Sequence, residues 1–375
     1  MDKYDFLIIG SGIFGATVAE RLKSAGKKVL VIDRRAHLAG NIYSYMDEKT
    51  GIEVHAYGSH IFHTESDEVW DYITKFADFN DYVHTVHTRH DGKLYPMPIN
   101  LDTINLFYGT NLSAAEAEKF IKQKAEKIDR PKNFAEQAKS LVGTELFEAF
   151  LKNYTEKQWR DSAEHLPAAL LSRIPVRFSS DARYFMSAKH QGIPKNGYTN
   201  LIKNLLKGID YKLNTSFKDL EPSLKNQTII YTGAIDELMD YEFGALPYRS
   251  LRFETETVEN SAQKEAVINE ADADVPYTRT HSYKYYQIHS PEIINQPLSV
   301  ISREYPADFK IGAEAYYPVN NEDSEALYQK YLSAAREKYP NMYFGGRLGA
   351  FRYWDMDIAV KNALDLSEKI LKETK

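Results

Sequence analysis

Residues 4–33 read YDFLIIGSGIFGATVAERLKSAGKKVLVID. The apolar run 4–9 stops at Gly10, an alanine-bearing helical pattern follows over 13–25, and a second apolar run, 27–32, stops at Asp33. Strand, glycine turn, helix and strand within about 30 residues begin a parallel, doubly wound sheet. Gly10, Gly12 and Gly15 fill the three glycine positions of GxGxxG. The first allows the tight turn, the second the approach of backbone to a pyrophosphate, and the third a close helix–strand contact. Phosphates would sit on the helix N-terminus, and Asp33 falls where an acid meets ribose hydroxyls. The fold class is therefore α/β and the ligand a dinucleotide, with FAD and NAD both open at this point.

Outward from this unit, a chain of 375 residues, 43% apolar and 27% charged, is long enough that one core splits into several. A net charge of −6 lacks the basic footprint that a nucleic-acid backbone requires, so nucleic acid is excluded as a partner. The absence of cysteine removes disulfides, thiolate nucleophiles and sulfur-bound metals. No signal architecture and no membrane-length apolar run is present, which predicts a cytoplasmic protein with no membrane insertion. Aromatic residues make up 13% of the chain, with 27 Tyr, and their flat faces and polar edges suit sugars and nucleobases as well as a core.

From about 101 to 169 the periodicity is helical, with capping-box spacings at Ser113/Glu116 and Asn133/Glu136. From about 175, runs such as RFSSDARYF, SLRFETETV and LSVISREYP predict an antiparallel sheet. TIIY (228–231) before Thr232-Gly233, and NMYF (341–344) before Gly345-Gly346 and a helix over 355–371, read as returns to the first sheet. The expected architecture is a discontinuous Rossmann-like FAD-binding domain (1–80, 195–240, 335–375). Into it are inserted a helical bundle (100–172) and an antiparallel β-sheet domain (81–99, 173–194, 241–334).

The second glycine segment, GGRLG at 345–349 before a helix, fits an extended flavin lying along the whole domain. A helix N-terminus near Asp355 and Met356 would stabilise the negative charge of a reduced flavin. YTEKQW (154–159), SRIPVRF (172–178), YF (184–185), VPYTR (275–279), YYPV (316–319) and RYWDMD (352–357) combine diphosphate donors with stacking faces. An Arg–Tyr constellation of this kind is a plausible nucleotide-sugar clamp, although each segment alone is more often a surface arginine beside a core aromatic. His55, His60 and His63 cluster in one segment and His84, His87 and His90 follow in a predicted strand; the Tyr57-Gly58 turn puts His60 and His63 on a loop with no matching carboxylates nearby, so no metal site is expected. Neither a GxSxG elbow nor HExxH occurs.

Taken in order, GSGIFGA, YGSHIFHT, PINL, YTEKQW, RIPVRF, QGIPKNGYT, AVIN, VPYTR, EYP, YYPV and FGGRLG with YWDMD resemble the bacterial UDP-galactopyranose mutases over essentially the whole chain. The resemblance implies an isomerase, active with reduced FAD, that interconverts UDP-galactopyranose and UDP-galactofuranose without net redox change. It also implies a homodimer and a reductant such as NAD(P)H. Reduced flavin would attack the anomeric carbon, with UDP leaving and the sugar ring reopening.

By position, Arg173 and Arg279 resemble the pair that holds the diphosphate, and with His60 they are the catalytic candidates. Tyr184, Tyr317 and Tyr353 resemble hydroxyl contacts to the substrate, and Phe150, Tyr154, Thr155, Trp159, Phe185 and Asn269 complete the substrate set. The cofactor set is Gly10, Gly12, Ile13, Phe14, Gly15, Asp33, Arg34, Gly40, Asn41, His60, Ile61, Phe217, Gly233, Gly346, Arg347, Tyr353, Asp355 and Met356. The chain departs from the family where Ala39 replaces the first of two glycines before Asn41, Ser59 a common proline, Leu151 a second phenylalanine, and Arg160 a glycine after the tryptophan. A flavin amine oxidase shares the FAD fingerprint but has less use for an Arg–Tyr clamp, and a non-catalytic binding module needs no Trp-bearing segment.

Overall fold

The structure, a computed structural model, describes residues 3–173, 176–221 and 227–374, without the side chains of 172 and 173. The chain forms two compact units: residues 1–81, 188–251 and 307–375 make the first, and 82–187 with 252–306 the second.

The first unit is built on a five-stranded sheet in the spatial order Met342–Phe344, Thr228–Tyr231, Phe6–Ile9, Val29–Ile32, Asp210–Lys212. Its pairings are parallel, with Phe6 between Thr228 and Val29 and Ile9 between Tyr231 and Ile32. FLII and VLVI are buried at every position, as expected of central strands covered on both faces. The helix Ile13–Ser24 packs against the C-terminal helix Met356–Glu373. Gly10 has φ +105°, and a Cβ there would lie 2.1 Å from Thr232 Oγ1; a Cβ on Gly15 would lie 2.1 Å from the Gly10 carbonyl oxygen. The turn, helix and neighbouring strand can approach this closely only with glycine at both places.

The second unit carries the helical segment. Ser113 with Glu116 closes a capping box on Ala114–Lys124, and the Asn133 side chain accepts from Glu136 N at the start of Phe134–Leu146. The expected helical bundle and sheet therefore share one compact unit, while 188–194, 241–251 and 307–334 lie with the nucleotide-binding strands.

The other large sheet has seven strands, ordered Tyr317–Pro318, Tyr248–Glu259, Leu298–Asp308, Arg279–Ser282, Val267–Glu270, Val86–His90, Lys93–Met97. It is mixed rather than antiparallel, because Val267–Glu270 pairs with Val86–His90 in parallel. A parallel neighbour needs a long crossover, and the intervening helices supply it. RFSSDARYF does not form the predicted strand: Arg177 Nη1 donates to the Asp181 and Arg183 carbonyls, and Arg183 pairs with Asp181. These local polar contacts satisfy the segment in loop form. Among the described residues no helix is long and apolar enough to cross a membrane.

Candidate functional site

In the first unit the carboxyl ends of the parallel strands open onto a cleft of about 360 Å³. One edge is the glycine turn with Gly10, Gly12, Ile13, Phe14 and Gly15; a second is Asp33, Arg34, Gly40 and Asn41. Phe217, Gly233, Gly346, Arg347, Asp355, Met356 and His60 complete the predicted residues on its wall. Ile61 and Tyr353 do not line it. Sequence reasoning missed Arg35, Thr232, Glu237 and Trp354 here. Thr232, which follows the TIIY strand, and Trp354, inside RYWDMD, carried a signal.

The cleft suits a dinucleotide on three counts. A Cβ on Gly12 would meet no protein atom within 4 Å, so the bare backbone faces the space of the cleft. Gly12 also caps the 12-residue helix Ile13–Ser24 with no side-chain acceptor and no acid in the first turn, leaving its amides for an anion. Asp33 accepts from Ser11 N (2.8 Å) and Oγ (2.7 Å) and from Arg35 N (2.9 Å), which fixes the carboxylate at the end of its strand. Arg34 meets Glu237 at 3.1 Å and Glu314 at 3.2 Å, while Arg35 meets Glu314 at 2.6 Å and Asn41 at 2.8 Å. Burial opposes the charge on Glu314, but hydrogen bonds and charge from Arg35 and Arg34 hold it below the usual carboxylate range.

At the glycine-rich return, Arg347 donates to the Trp354 carbonyl through Nε (3.2 Å) and Nη2 (2.6 Å). Its guanidinium lies 5.0 Å from the Tyr317 ring and 5.4 Å from the Tyr353 ring, which stack on one another at 4.8 Å. Two predicted substrate residues thus form one aromatic pair beside a predicted cofactor residue. Asp355 is the N-cap of Met356–Glu373. The His60 backbone N–H donates to His55 Nδ1 at 3.1 Å, and its Nδ1 meets the Gly58 carbonyl at 2.7 Å.

The second unit holds most of the other candidates, and Arg279 meets Tyr154 and Asn269 among them. The cross-strand partners of Arg279 are Asn269 on one side and Glu304 on the other, so all three side chains share one sheet face. Arg279 Nη2 donates to the Tyr154 phenol, and the Glu304 carboxylate lies 3.4 Å from Arg279 Nε and 3.3 Å from His281 Nε2. Burial would raise Glu304, yet Arg279, His281 and Thr278 outweigh it and hold the group down at about 2. Burial pushes the Tyr154 phenol up, with Arg279 opposing.

Tyr154, Thr155 and Trp159 ride on the helix Asn153–Trp159. Thr155 is buried, and Phe150, 1% exposed, packs its ring on His90, Tyr95 and Phe107. Tyr184 and Phe185 both pack on His84, with Tyr184 42% exposed. Arg173 ends the short helix Ala168–Arg173, and its side chain lies outside the described residues. His90, Asp91 and Asp272 bring possible ligand atoms within 4.8 Å, where His90 Nδ1 and Asp272 Oδ1 are paired at 2.6 Å.

Comparison with known proteins adds to this geometry. The family pattern of UDP-galactopyranose mutase matches residues 149–353, and that of the NAD(P)-binding Rossmann-like domain matches 8–76. The chain is 40% identical to the dTDP-fucopyranose mutase of Escherichia coli, covering 98% of this chain and 99% of that one. It is 39% identical to a Klebsiella pneumoniae protein named "Probable UDP-galactopyranose mutase", covering 99% and 96%. In fold it is similar to a crystal structure of reduced UDP-galactopyranose mutase, with a TM-score of 0.73 at 15% identity over 98% and 96% of the two chains.

Proposed function

This chain belongs to the UDP-galactopyranose mutase family, and on that premise we propose that it interconverts UDP-galactopyranose and UDP-galactofuranose with reduced FAD and no net oxidation. The observation that carries the reading is the Arg279 cluster, which joins a guanidinium and an amide on one sheet face with a half-buried phenol from the helix Asn153–Trp159, all within the segment matched by the family pattern. The open Gly12 edge and the amides of Ile13–Ser24 would hold the cofactor pyrophosphate, with Asp33 and Arg34 toward the ribose and Arg347, Asp355 and Met356 toward the flavin. When bound and reduced, the flavin supplies a nucleophile for the anomeric carbon and is returned unchanged.

Arg173 and Arg279 would grip the diphosphate and stabilise its negative charge as it leaves. Tyr154, Tyr184, Tyr317 and Tyr353 would orient it through hydroxyls, and Thr155, Trp159 and Phe185 would shape the nucleoside side. His60 is assigned to the flavin-facing loop. No carboxylate dyad is required, which agrees with a site built from arginines and phenols. A homodimer, a cytoplasmic location and re-reduction by NAD(P)H complete the proposal.

The test is anaerobic turnover of UDP-galactofuranose by the dithionite-reduced holoenzyme, with product counted per reducing equivalent. Many turnovers per equivalent are expected. A ratio fixed at one means ordinary redox chemistry and ends the mutase reading. The relative named dTDP-fucopyranose mutase motivates a second substrate in the same assay. A higher kcat/KM for dTDP-fucofuranose would move the assignment to that sugar nucleotide.

A further inference from the structure

We infer that Lys157 is a positioning residue: its ammonium, seated among backbone carbonyl oxygens of the loop that precedes Arg279, fixes that loop and ties Arg279 to the helix carrying Tyr154. The inference rests on Arg279 being a diphosphate ligand, as proposed above.

Lys157 Nζ donates to the carbonyls of Glu270 (2.7 Å), Asp272 (2.9 Å), Val275 (2.9 Å) and, more weakly, Tyr277 (3.3 Å). Glu270 ends the strand Val267–Glu270, and the other three lie in the connection from it to the strand Arg279–Ser282. Four carbonyl dipoles aimed at one point repel each other unless a cation sits there. An ammonium, compact and with three rotatable donors, meets that need.

Tyr154 and Lys157 lie three residues apart on one helix, hence on one face. That face therefore makes two contacts with the same segment, the ammonium with the loop and the phenol with the arginine that follows it. Burial pulls Lys157 down to about 8, opposed by Glu270, Asp272 and Asp274. A lysine kept charged at that cost is held for the oxygens it gathers. YTEKQW is then a device with two ends: Tyr154 meets the guanidinium, and Lys157 sets the loop that delivers it.

The experiment is a double-mutant cycle on the FAD-bound enzyme, with calorimetric titration of UDP and, in parallel, dTDP into wild type, Lys157→Met, Arg279→Ala and the pair. Lys157→Met is expected to weaken nucleotide binding about tenfold or more, to keep its FAD, and to speed amide exchange over 270–279. In the Arg279→Ala background the same change should cost little further affinity. Lys157→Arg keeps the charge but spreads its donors along a planar fork. It is expected to weaken binding less, with the same dependence on Arg279, and it serves as the test if the Met variant does not fold. Unchanged affinity in the variant that folds, or a penalty that adds in full to that of Arg279→Ala, overturns the inference. Wild-type enzyme that binds neither nucleotide removes the diphosphate reading, and the inference with it. Normal wild-type binding beside an unaffected variant removes the inference alone.

Discussion

Arg279 stands opposite Glu304 in the register of two antiparallel strands, its Nε 3.4 Å from a carboxylate that is 6% exposed. The same carboxylate meets His281 Nε2 at 3.3 Å, and burial lowers the pKa of that histidine, favouring the neutral ring. The buried centre is thus one cation against one anion, with a neutral imidazole bracing the anion. Such a pair is worth little against an apolar substitute, but breaking it is costly because the partner stays charged and unpaired.

Glu304→Gln keeps the volume and removes the charge, so it isolates this effect. We expect a loss of stability on the order of 3 kcal/mol at pH 7, measured by urea unfolding. The folded carboxyl titrates near 2, below its ordinary 4.5, so its contribution is present above about pH 4.5 and is lost as pH falls toward 2. The gap between wild type and Glu304→Gln should therefore close in acid. A gap of the same size at pH 3 and pH 7 would mean that the ion pair is not its cause.

What the sequence makes legible is what the chain does locally. The 4–33 segment forms its strand, turn and helix from neighbours, and every contact that demands Gly15 lies within that segment. The returns at 228–231 and 342–344 were readable because a short apolar run leading into glycine is itself a local signal. The ion pairs around the cleft were not. Arg34 meets Glu237 and Glu314 across 203 and 280 residues, and no periodicity records such a meeting.

RFSSDARYF misled because its aromatic and polar alternation fits a strand, whereas Arg177 and Asp181 satisfy the backbone as a loop. The parallel pairing of Val267–Glu270 with Val86–His90 depends on chain path, not on residue type. Glu304 carried a faint signal, a carboxylate inside the β-branched and aromatic run LSVISREYP, but only the register shows that it faces Arg279.

Two of the departures from the family pattern turn out to occupy left-handed backbone. Ala39 has φ +78° and is fully buried on the wall of the cleft; Arg160 has φ +54° at the C-cap of Asn153–Trp159. A side chain in this region costs roughly 1–2 kcal/mol, partly offset because glycine loses more entropy on folding. Ala39→Gly and Arg160→Gly are each expected to raise stability by about 0.5–1 kcal/mol, seen as a higher urea midpoint at unchanged slope. Destabilisation by either would show that its side-chain contacts outweigh backbone strain.

Glu53 offers a pH-dependent test in the first unit. It sits on the strand Glu53–His55, 5% exposed, packed so closely on Gly197 that a Cβ there would lie 2.0 Å from Glu53 Oε1. Burial drives its pKa up to about 7, against hydrogen bonds from the Ser44 side chain and the Tyr198 N–H. The folded protein therefore holds a proton that the unfolded chain has already released above its ordinary 4.5. Stability from this group is complete below about pH 4.5 and is lost as pH rises through 7, amounting at most to roughly 3 kcal/mol. Glu53→Gln preserves the neutral shape, its oxygen placed to accept from Tyr198 and its amide to meet Ser44. The variant should unfold with wild type near pH 4.5 and at clearly higher urea concentration than wild type at pH 8. Aspartate at the same place keeps the charge but withdraws it from Gly197, so Glu53→Asp controls for lost packing. Equal Glu53→Gln effects at both pH values would mean that the carboxyl stays ionised where it is buried, with Ser44 and Tyr198 outweighing desolvation.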